Sequence, residues 1–376
     1  MVFRPTLLKI DLDALASNYR TVEKLSKQTS ICAVVKADAY GYGASPVAQR
    51  LEFEGCPWFA VALVEEGISL RNAGITKPIL VLGAHVENAT ETLIEHKLIP
   101  TIFSLEQLES LNKTVKKQQL EIHLKLDTGM SRLGLRPQEL PKAIKLLKKK
   151  SKLKLAGLMS HLANADLDDS KMNSSQQDLL LQAYELLKLH ELPPKWLHLC
   201  NSAGVINAPK KAQNLIRPGL LLYGLNPMGP HTDIPLKPVA SWHTKPLCLR
   251  NLPSNSPVSY GGHFRTGRPT TLAVLPVGYA DGYKKSFEGR AEVLIRNQRA
   301  PIVGSICMDM CMADVTDIPN VCREDQVTLL GAQGRHEITA YELATWAETI
   351  PYEIMCSITE RVPRHYFGQG APLNAE

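Results

Sequence analysis

The sequence lacks several features that would assign it to a broad class of protein. None of its apolar runs is long enough to cross a membrane, and the first ten residues, followed at once by Asp11 and Asp13, lack the apolar core of a secretory leader. The eight cysteines include no C-x-x-C pair and no zinc-type group of partners. We therefore expect reduced thiols, a cytoplasmic protein and no metal site.

The charge distribution excludes a second class. The formal net charge is +6, but the short lysine runs that carry much of it contain no interleaved aromatic residues, which a nucleic-acid-binding surface would need. Such runs are typical of solvated helix faces, and the excess charge indicates at most a mild attraction of anionic ligands. Hydrophobic residues make up 44% of the chain and charged residues 21%, values that are typical of a globular protein with a sizeable core.

Apolar strands alternate with amphipathic helices in the first part of the chain. A helix is predicted over residues 11–28, capped by Asp11 or Asp13, and two more over 105–115 and 140–147. Eight strands are predicted at residues 31–35, 58–62, 79–82, 100–103, 121–126, 155–160, 196–199 and 220–223. This alternation predicts a (β/α)₈ barrel, with a doubly wound open sheet as the alternative.

The pattern changes after a cluster of prolines near residue 235. Later segments alternate as strands do, at residues 270–277, 292–295 and 326–330, with a turn at 296–298 and one helix over 340–350 capped by Thr339. The length of the chain also favours two domains. We therefore predict a barrel domain over residues 1–235 and a mostly β domain over 236–376, with the first ten residues or so as candidates to pair with the second domain.

The most specific local signal is the run Ala33-Val-Val-Lys-Ala-Asp-Ala-Tyr-Gly-Tyr-Gly43. A lysine directly after a buried strand is costly unless its charge is paired or removed, and a Schiff base at Lys36 would remove it. Gly41 and Gly43 would let the next loop turn tightly beside a ligand. From spacing alone, a lysine that extends its amine to solvent at the strand end is an equally good interpretation.

This run resembles the cofactor-binding signature of alanine racemases, the barrel-type enzymes that use pyridoxal 5′-phosphate (PLP). The resemblance covers nearly the whole chain, and further motifs occur in the family's order. They are Lys125-Leu-Asp-Thr-Gly-Met-Ser-Arg-Leu-Gly134, Ser160-His-Leu-Ala-Asn-Ala-Asp166, Asn201-Ser202, Ile216-Arg-Pro-Gly219, Val258-Ser-Tyr-Gly261, Val277-Gly-Tyr-Ala-Asp-Gly282 and Ile306-Cys-Met-Asp309.

The resemblance implies roles for three residues in particular. Lys36 would bind PLP covalently and act as the base on one face of the substrate α-carbon, and Tyr260 would act as the base on the other face. In the family this tyrosine reaches the cofactor of the other subunit, which implies a homodimer with shared active sites. Arg217 would donate to the pyridine nitrogen of PLP, and a guanidinium there keeps that nitrogen unprotonated.

The resemblance also implies supporting residues. His161 and His198 would connect Arg217 with the tyrosine base, with His161 also near the cofactor. The phosphate would be bound by Ser202, by the amides of Gly219 and Leu220, by Tyr40 and Tyr352 and by the Asn201 segment. Simple helix capping is the alternative for Asn201 and Ser202. The substrate would meet Arg132, Met308 and Tyr279, with Asp309 shaping the site and Lys125, carbamylated or unmodified, beside Arg132.

The predicted function is therefore that of an alanine racemase (EC 5.1.1.1), interconverting L-alanine and D-alanine and supplying D-alanine for peptidoglycan. A PLP decarboxylase on the same barrel is a rival interpretation, but it would use a carboxylate at the pyridine nitrogen and would lack Tyr260. A serine or broad-specificity racemase stays open, because the motifs do not define the side-chain pocket. A non-catalytic PLP-binding protein is the alternative of another class.

Overall fold

The structure is a computed structural model that describes residues 3–27, 29–83, 85–116, 118–149, 152–167, 170–207, 213–230 and 233–372. The chain forms two compact units. One unit, here called the barrel unit, comprises Leu15–Ala39 and Val47–Lys237. The other, here called the β unit, comprises Met1–Ala14, Tyr40–Pro46 and Pro238–Glu376.

Strands and helices alternate through the first part of the described chain. The strands are β1 (Leu7–Asp11), β2 (Ser30–Val34), β3 (Trp58–Val61), β4 (Ile79–Val81), β5 (Leu98–Ile102), β6 (Leu120–Lys125), β7 (Leu153–Met159), β8 (Trp196–His198) and β9 (Leu215–Ile216). The helices are α1 (Leu12–Ser26), α2 (Lys36–Tyr40), α3 (Ala44–Phe53), α4 (Val64–Asn72), α5 (Thr90–Glu95), α6 (Leu105–Thr114), α7 (Leu140–Lys148), α8 (Ser170–Leu189) and α9 (Ser202–Asn207). Short 3₁₀ helices lie at Pro137–Glu139 and Leu220–Tyr223.

The barrel unit contains one parallel sheet of eight strands in the order β8-β7-β6-β5-β4-β3-β2-β9. Backbone hydrogen bonds from Asn214 N–H to the Leu197 carbonyl (3.1 Å) and from Arg217 N–H to the Cys200 carbonyl (2.9 Å) join the two ends of the sheet. Strands β3, β4 and β5 are buried along their whole length, as expected where helices cover one face and the barrel core the other. The predicted (β/α)₈ barrel is confirmed, and the open-sheet alternative is wrong.

The eighth barrel strand is not where the sequence pattern placed it. Residues 220–223 form a 3₁₀ helix, in which Leu222 N–H donates to the Gly219 carbonyl and Gly224 ends the turn with φ 79°. The strand is instead the two-residue β9, which pairs with β2. Because a short apolar run is buried equally well as a strand or as a tight helix, its pattern alone does not separate the two.

The β unit is built mainly from strands. Its later strands are β10 (Ala240–Thr244), β11 (Cys248–Leu252), β12 (Pro257–Val258), β13 (Phe264–Arg265), β14 (Thr270–Leu275), β15 (Glu292–Ile295), β16 (Gln298–Pro301), β17 (Cys311–Asp314), β18 (Val327–Gln333), β19 (His336–Ile338) and β20 (Arg364–Phe367). Its later helices are α10 (Ala340–Trp346) and α11 (Pro351–Ser357), with 3₁₀ helices at Tyr260–Gly262, Tyr279–Asp281 and Lys285–Phe287. One sheet runs β16-β15-β18-β10-β1-β20, with β19 on β18, and a second runs β11-β14-β17.

Two capping predictions are resolved by the side-chain contacts. Asp11 caps α1, because its Oδ1 accepts the N–H groups of Asp13 and Ala14 at 2.9 Å. Thr339 caps α10, where its hydroxyl accepts the N–H of Glu342 at 3.1 Å. The helix predicted over 340–350 ends earlier, at Trp346, and a second helix that the sequence pattern did not predict, α11, begins at Pro351. Helix α1 ends at Ser26, and Gln28, the last residue of the helix predicted over 11–28, lies outside the described residues.

Two further observations concern the classes excluded at the outset. In the described part of the chain, no helix combines the length and the apolar character that a membrane crossing requires. All eight cysteines lie within the described ranges, and none of them forms a disulfide.

Candidate active site

Lys36 lies at the carboxyl end of β2, where α2 begins, and its side chain is half-buried. The four residues that follow it, Ala37 to Tyr40, all have left-handed backbone angles, with φ between 51° and 58°. Non-glycine residues adopt this conformation at a cost of roughly 1–2 kcal/mol each. Such strain next to a proposed functional side chain persists only where surrounding contacts hold it.

The loop after this segment needs its glycines. Gly41 and Gly43 have φ values of 84° and 95°. A Cβ at Gly41 would lie 2.5 Å from the Met355 carbonyl oxygen, and one at Gly43 would lie 1.8 Å from the Tyr366 hydroxyl. The predicted tight turn is therefore present, and both the backbone angles and the close contacts require glycine.

Four cationic side chains interact at the carboxyl end of the barrel strands. Burial, and the positive charges of Arg217, Arg132 and Lys36, lower the pKa of Lys125 to about 8, while Asp127 opposes the shift. Lys125 is itself 6% exposed at the end of β6. This group of cations creates a positive potential, which favours an anionic ligand.

Arg217 follows β9 and is almost fully buried, at 4% exposure. Its Nη1 donates to Nδ1 of His198 at 2.7 Å, and its Nη2 donates to the carbonyl oxygens of Ser160 (2.7 Å) and Leu199 (3.1 Å) and to Nδ1 of His161 (3.3 Å). No carboxylate forms an ion pair with it among the residues that the structure describes. Burial lowers the pKa of Arg217 to about 10, so it remains protonated at neutral pH.

The two predicted histidines both contact Arg217 and are neutral. Burial first, and then the charge of Arg217, lower the pKa of His198 well below its ordinary value and that of His161 to about 2. The barrel unit therefore brings together His161, His198 and Arg217 as the sequence predicted. Their neutral imidazoles leave the guanidinium as the cation of this group.

Ser202 connects two segments that were predicted to bind phosphate. It is the first residue of α9, and its Oγ accepts the N–H groups of Gly219 (2.9 Å) and Leu221 (3.4 Å). Because both lone pairs of the hydroxyl are then used, its proton is the group that can meet a further acceptor. Asn201 caps α9 through Gly204 N–H at 2.9 Å, which is the alternative that the sequence left open for this residue.

One residue in the same network was not predicted. His123 lies in β6, two residues before Lys125, and its Nδ1 is 2.8 Å from Nε2 of His198. It is fully buried, and burial together with the charge of Arg217 lowers its pKa to about 3. Its position offered a signal, since residues two apart in a strand share a face and Lys125 was already a candidate.

Six further predicted residues lie in the β unit. Tyr40 and Tyr352 have ring centroids 6.1 Å apart, and burial raises the pKa of Tyr40 above its ordinary range. Tyr260, Tyr279 and Met308 line a second region, a cavity of about 810 Å³ that Asp309 also borders. The exposed fraction of Tyr260 is 77%, high for an aromatic side chain.

The loops around this cavity are held by specific contacts. The N–H groups of Tyr279 and Ala280 donate to the carbonyl oxygens of Cys307 and Met308, each at 3.1 Å. Nη2 of Arg361 donates to Oδ1 of Asp309 at 2.7 Å.

The predicted site residues form two sets, one in each unit. No group of three or more His, Cys, Asp or Glu side chains that could hold a metal ion occurs within the described ranges.

Comparisons with known proteins show which family the chain resembles. Residues 10–227 match the family model of the alanine racemase N-terminal domain, and residues 239–366 match that of the C-terminal domain. The alanine racemase of Halothermothrix orenii is 42% identical over 369 residues, covering 97% of both chains. That of Clostridium novyi is 39% identical over 376 residues, covering 98% of this chain and 96% of the relative.

Solved structures give the same result. The alanine racemase of Bacillus anthracis with bound L-Ala-P superposes with a TM-score of 0.92 at 33% identity, covering 100% of this chain and 98% of that one. The alanine racemase of Bartonella henselae with covalently bound pyridoxal phosphate superposes with a TM-score of 0.87, also at 33% identity, covering 96% of this chain and 99% of that one. On the matches of both domains and the full-length identity, the chain belongs to the alanine racemase family.

Proposed function

We propose that the protein interconverts L-alanine and D-alanine with PLP as its cofactor. The observation that carries this proposal is Arg217, a buried guanidinium whose contacts are two neutral imidazoles and two carbonyl oxygens. A PLP decarboxylase would place a carboxylate there. Family membership supports the same reaction.

The barrel residues fit the proposed cofactor in two places. Ser202, with both lone pairs occupied, has a hydroxyl proton for a phosphate oxygen, and we assign it to the phosphate together with Leu220, Tyr40 and Tyr352. The amide of Gly219, which was also predicted to bind the phosphate, instead donates to Ser202 and orients its hydroxyl. Asn201 would shape the start of that segment. Arg217 has only N–H donors and so suits an unprotonated ring nitrogen, while Lys36, at the end of β2, would hold the cofactor covalently.

When bound, PLP withdraws the negative charge that develops at the substrate α-carbon. The chain's own groups would move the proton. We assign Lys36 Nζ to the proton of D-alanine and the phenol of Tyr260 of the partner subunit to the proton of L-alanine. Because an unperturbed phenol has a pKa of about 10, the tyrosine needs cationic or hydrogen-bonding neighbours, and His161 is our candidate to link it to Arg217.

Substrate binding would use both sets of residues. Arg132 would hold the α-carboxylate through a paired fork, with Lys125 beside it. Met308 would offer its backbone N–H to the same carboxylate, Asp309 would shape the site, and Tyr279 would lie at its entrance. We therefore propose that residues 1–235 act as the cofactor-binding domain and residues 236–376 as the domain that completes a site.

The exposure of Tyr260 supports a homodimer with shared sites. A phenol that serves as a base must be shielded from bulk water, yet this one is 77% exposed in the single chain. Met308 and Tyr279, which line the same cavity, are 53% and 43% exposed. A second copy of the chain that covers this cavity would bury all three.

The biological setting follows by analogy with the family. We propose that the D-alanine supplies peptidoglycan synthesis. The scattered cysteines, none of which forms a disulfide, are consistent with a reducing compartment, and we infer a cytoplasmic enzyme.

The decisive experiment uses the purified protein loaded with PLP. We expect visible absorbance from lysine-bound cofactor, and we expect turnover of both alanine enantiomers in a panel of single-enantiomer amino acids. Turnover of serine or of several amino acids at similar kcat/KM would replace alanine with a broader substrate class. Bound cofactor with no turnover of any amino acid would support the non-catalytic alternative.

A further inference from the structure

His123 reaches across a neighbouring strand to join the Arg217 network. It lies on β6, whereas His198 lies on β8, with β7 between them in the sheet. The two rings nevertheless approach to a centroid distance of 4.9 Å at an interplanar angle of 64°. A side chain on β6 that contacted only the adjacent strand β7 would not reach β8. The imidazole of His123 reaches His198 because it passes over the backbone of β7.

Two features of β7 make room for the ring. A Cβ at Gly157 would lie 2.5 Å from Nδ1 of His123, so any other residue at this position would collide with the imidazole. The register between β6 and β7 shifts at this point, since Ile122 lies opposite Leu155 and His123 lies opposite Gly157. Such irregularities commonly redirect a side chain beside a functional site.

The chemistry of arginine fixes the direction of the hydrogen bonds. A guanidinium only donates, so Nδ1 of His198 must accept from Arg217 Nη1. A neutral imidazole with a bare Nδ1 carries its proton on Nε2, and this N–H then donates to Nδ1 of His123 at 2.8 Å. The proton of His123 is left on its Nε2.

The N–H on Nε2 of His123 makes this arrangement energetically costly. Nε2 of His123 is buried and has no hydrogen-bond partner among the described residues. The ring packs beside Trp58, at a centroid distance of 5.6 Å. A buried donor without a partner calls for a compensating role, and within the described ranges the side chain of His123 hydrogen-bonds to His198 alone.

We propose that His123 is a positioning residue, which holds His198 with its Nδ1 lone pair directed at Arg217 and so fixes the guanidinium for the cofactor ring nitrogen. The effect on the cofactor rests on the proposed function. The hydrogen bonds that link His123, His198 and Arg217 do not depend on it. Since all three side chains are almost fully buried, water does not supply a substitute for the His123 acceptor.

Three variants separate this role from simple packing. His123→Leu fills the site without an acceptor, whereas His123→Asn places an amide oxygen where the Nδ1 acceptor was. Ile122→Ala removes a fully buried neighbour on the same strand and serves as the control for stability. Each is loaded with PLP and compared by ¹⁵N-histidine NMR, thermal unfolding and steady-state kinetics.

We expect the wild-type His198 to show a bare Nδ1 and a protonated Nε2 whose hydrogen exchanges slowly. His123→Leu should shift or broaden that Nε2–H signal and lower kcat by roughly tenfold with little change in KM. His123→Asn should restore both, and Ile122→Ala should lower the unfolding midpoint while leaving the His198 signals unchanged.

Unchanged His198 signals in His123→Leu would overturn the proposal, as would a kcat loss that His123→Asn does not restore. The NMR comparison needs no turnover. If the wild-type protein failed to racemise any amino acid, the proposed function would be wrong. The NMR spectra would still test whether His123 positions His198.

Discussion

The backbone N–H of Ala37 donates a 2.7 Å hydrogen bond to Oε1 of Glu66, which lies 29 residues further along the chain. The other carboxylate oxygen accepts the N–H groups of Ala62 (2.7 Å) and Leu63 (3.0 Å) at the start of α4. One carboxylate therefore fastens the first residue after Lys36 to the next strand–helix junction of the barrel. It is a specific contact that helps to hold the left-handed segment against its intrinsic cost.

Replacing Glu66 tests this attachment. Glu66→Ala removes the acceptor of three N–H groups, and we expect the free energy of unfolding to fall by about 1–3 kcal/mol. Release of the Ala37 N–H should also displace Lys36, so PLP should dissociate faster during dialysis. Glu65→Ala, which changes an exposed carboxylate of the same helical turn, is the control, and equal PLP retention in both variants would contradict the attachment.

Replacing Tyr260 tests the second base. Tyr260→Phe removes only the hydroxyl, so the cofactor should remain bound with its visible absorbance while kcat for L-alanine falls by about 10²–10⁴-fold. Tyr184→Phe on α8, a half-buried tyrosine outside the proposed site, should keep wild-type kinetics. Undiminished racemisation by Tyr260→Phe would show that another group delivers the proton.

Lys125 offers a test of carbamylation. With a pKa of about 8, a large share of its amine is neutral in mildly alkaline buffer, and a neutral amine can bond to CO₂ with loss of a proton. The resulting anion would suit a site with several cations. We expect a carbamate carbon signal by NMR in ¹³C-bicarbonate, growing as the pH rises toward 8 and absent in Lys125→Met. Persistence of the signal in that variant, or its loss in the exposed control Lys154→Met, would assign the carbamate elsewhere.

The buried His243 should make the β unit less stable in acid. Burial, and then the charge of Lys9, lower its pKa from 6.5 to about 4, so between these values the unfolded chain binds a proton that the folded chain does not. Stability is therefore complete above pH 6.5 and falls as the pH drops toward 4. This group alone should remove about 2 kcal/mol between pH 8 and pH 5.

The measurement is the free energy of unfolding in urea as a function of pH, for the wild type and for His243→Asn. The variant should lose less stability on acidification, although it starts from a lower value because the bonds to Thr328 (3.2 Å) and Ser241 (2.9 Å) are disturbed. The exposed His336→Asn should follow the wild-type pH dependence. Parallel curves for His243→Asn and the wild type would mean that this histidine is protonated in the folded state.

Local chemistry let the sequence alone predict a great deal. The alternation of apolar and amphipathic segments predicted parallel strands covered by helices, because strands buried on both faces and helices buried on one have different periods. It favoured a barrel but left an open sheet as the alternative, and the hydrogen bonds between the two ends of the sheet decided between them. Lys36, Arg217, Ser202 and Tyr260 could be proposed as site residues because each lies in a motif of contiguous residues that resembles a motif of the family. The cap at Asp11 was similarly local, since a capping side chain contacts the backbone two or three residues ahead.

Tertiary structure decided the rest. The contact of His123 with His198 spans 75 residues and crosses a strand at Gly157, and that of Ala37 with Glu66 joins two separate strand ends. The neutrality of the histidines and the lowered pKa of Lys125 arise from burial beside Arg217, which no residue pattern specifies. Even the eighth strand needed its neighbours, because two residues become a strand only when β2 pairs with them.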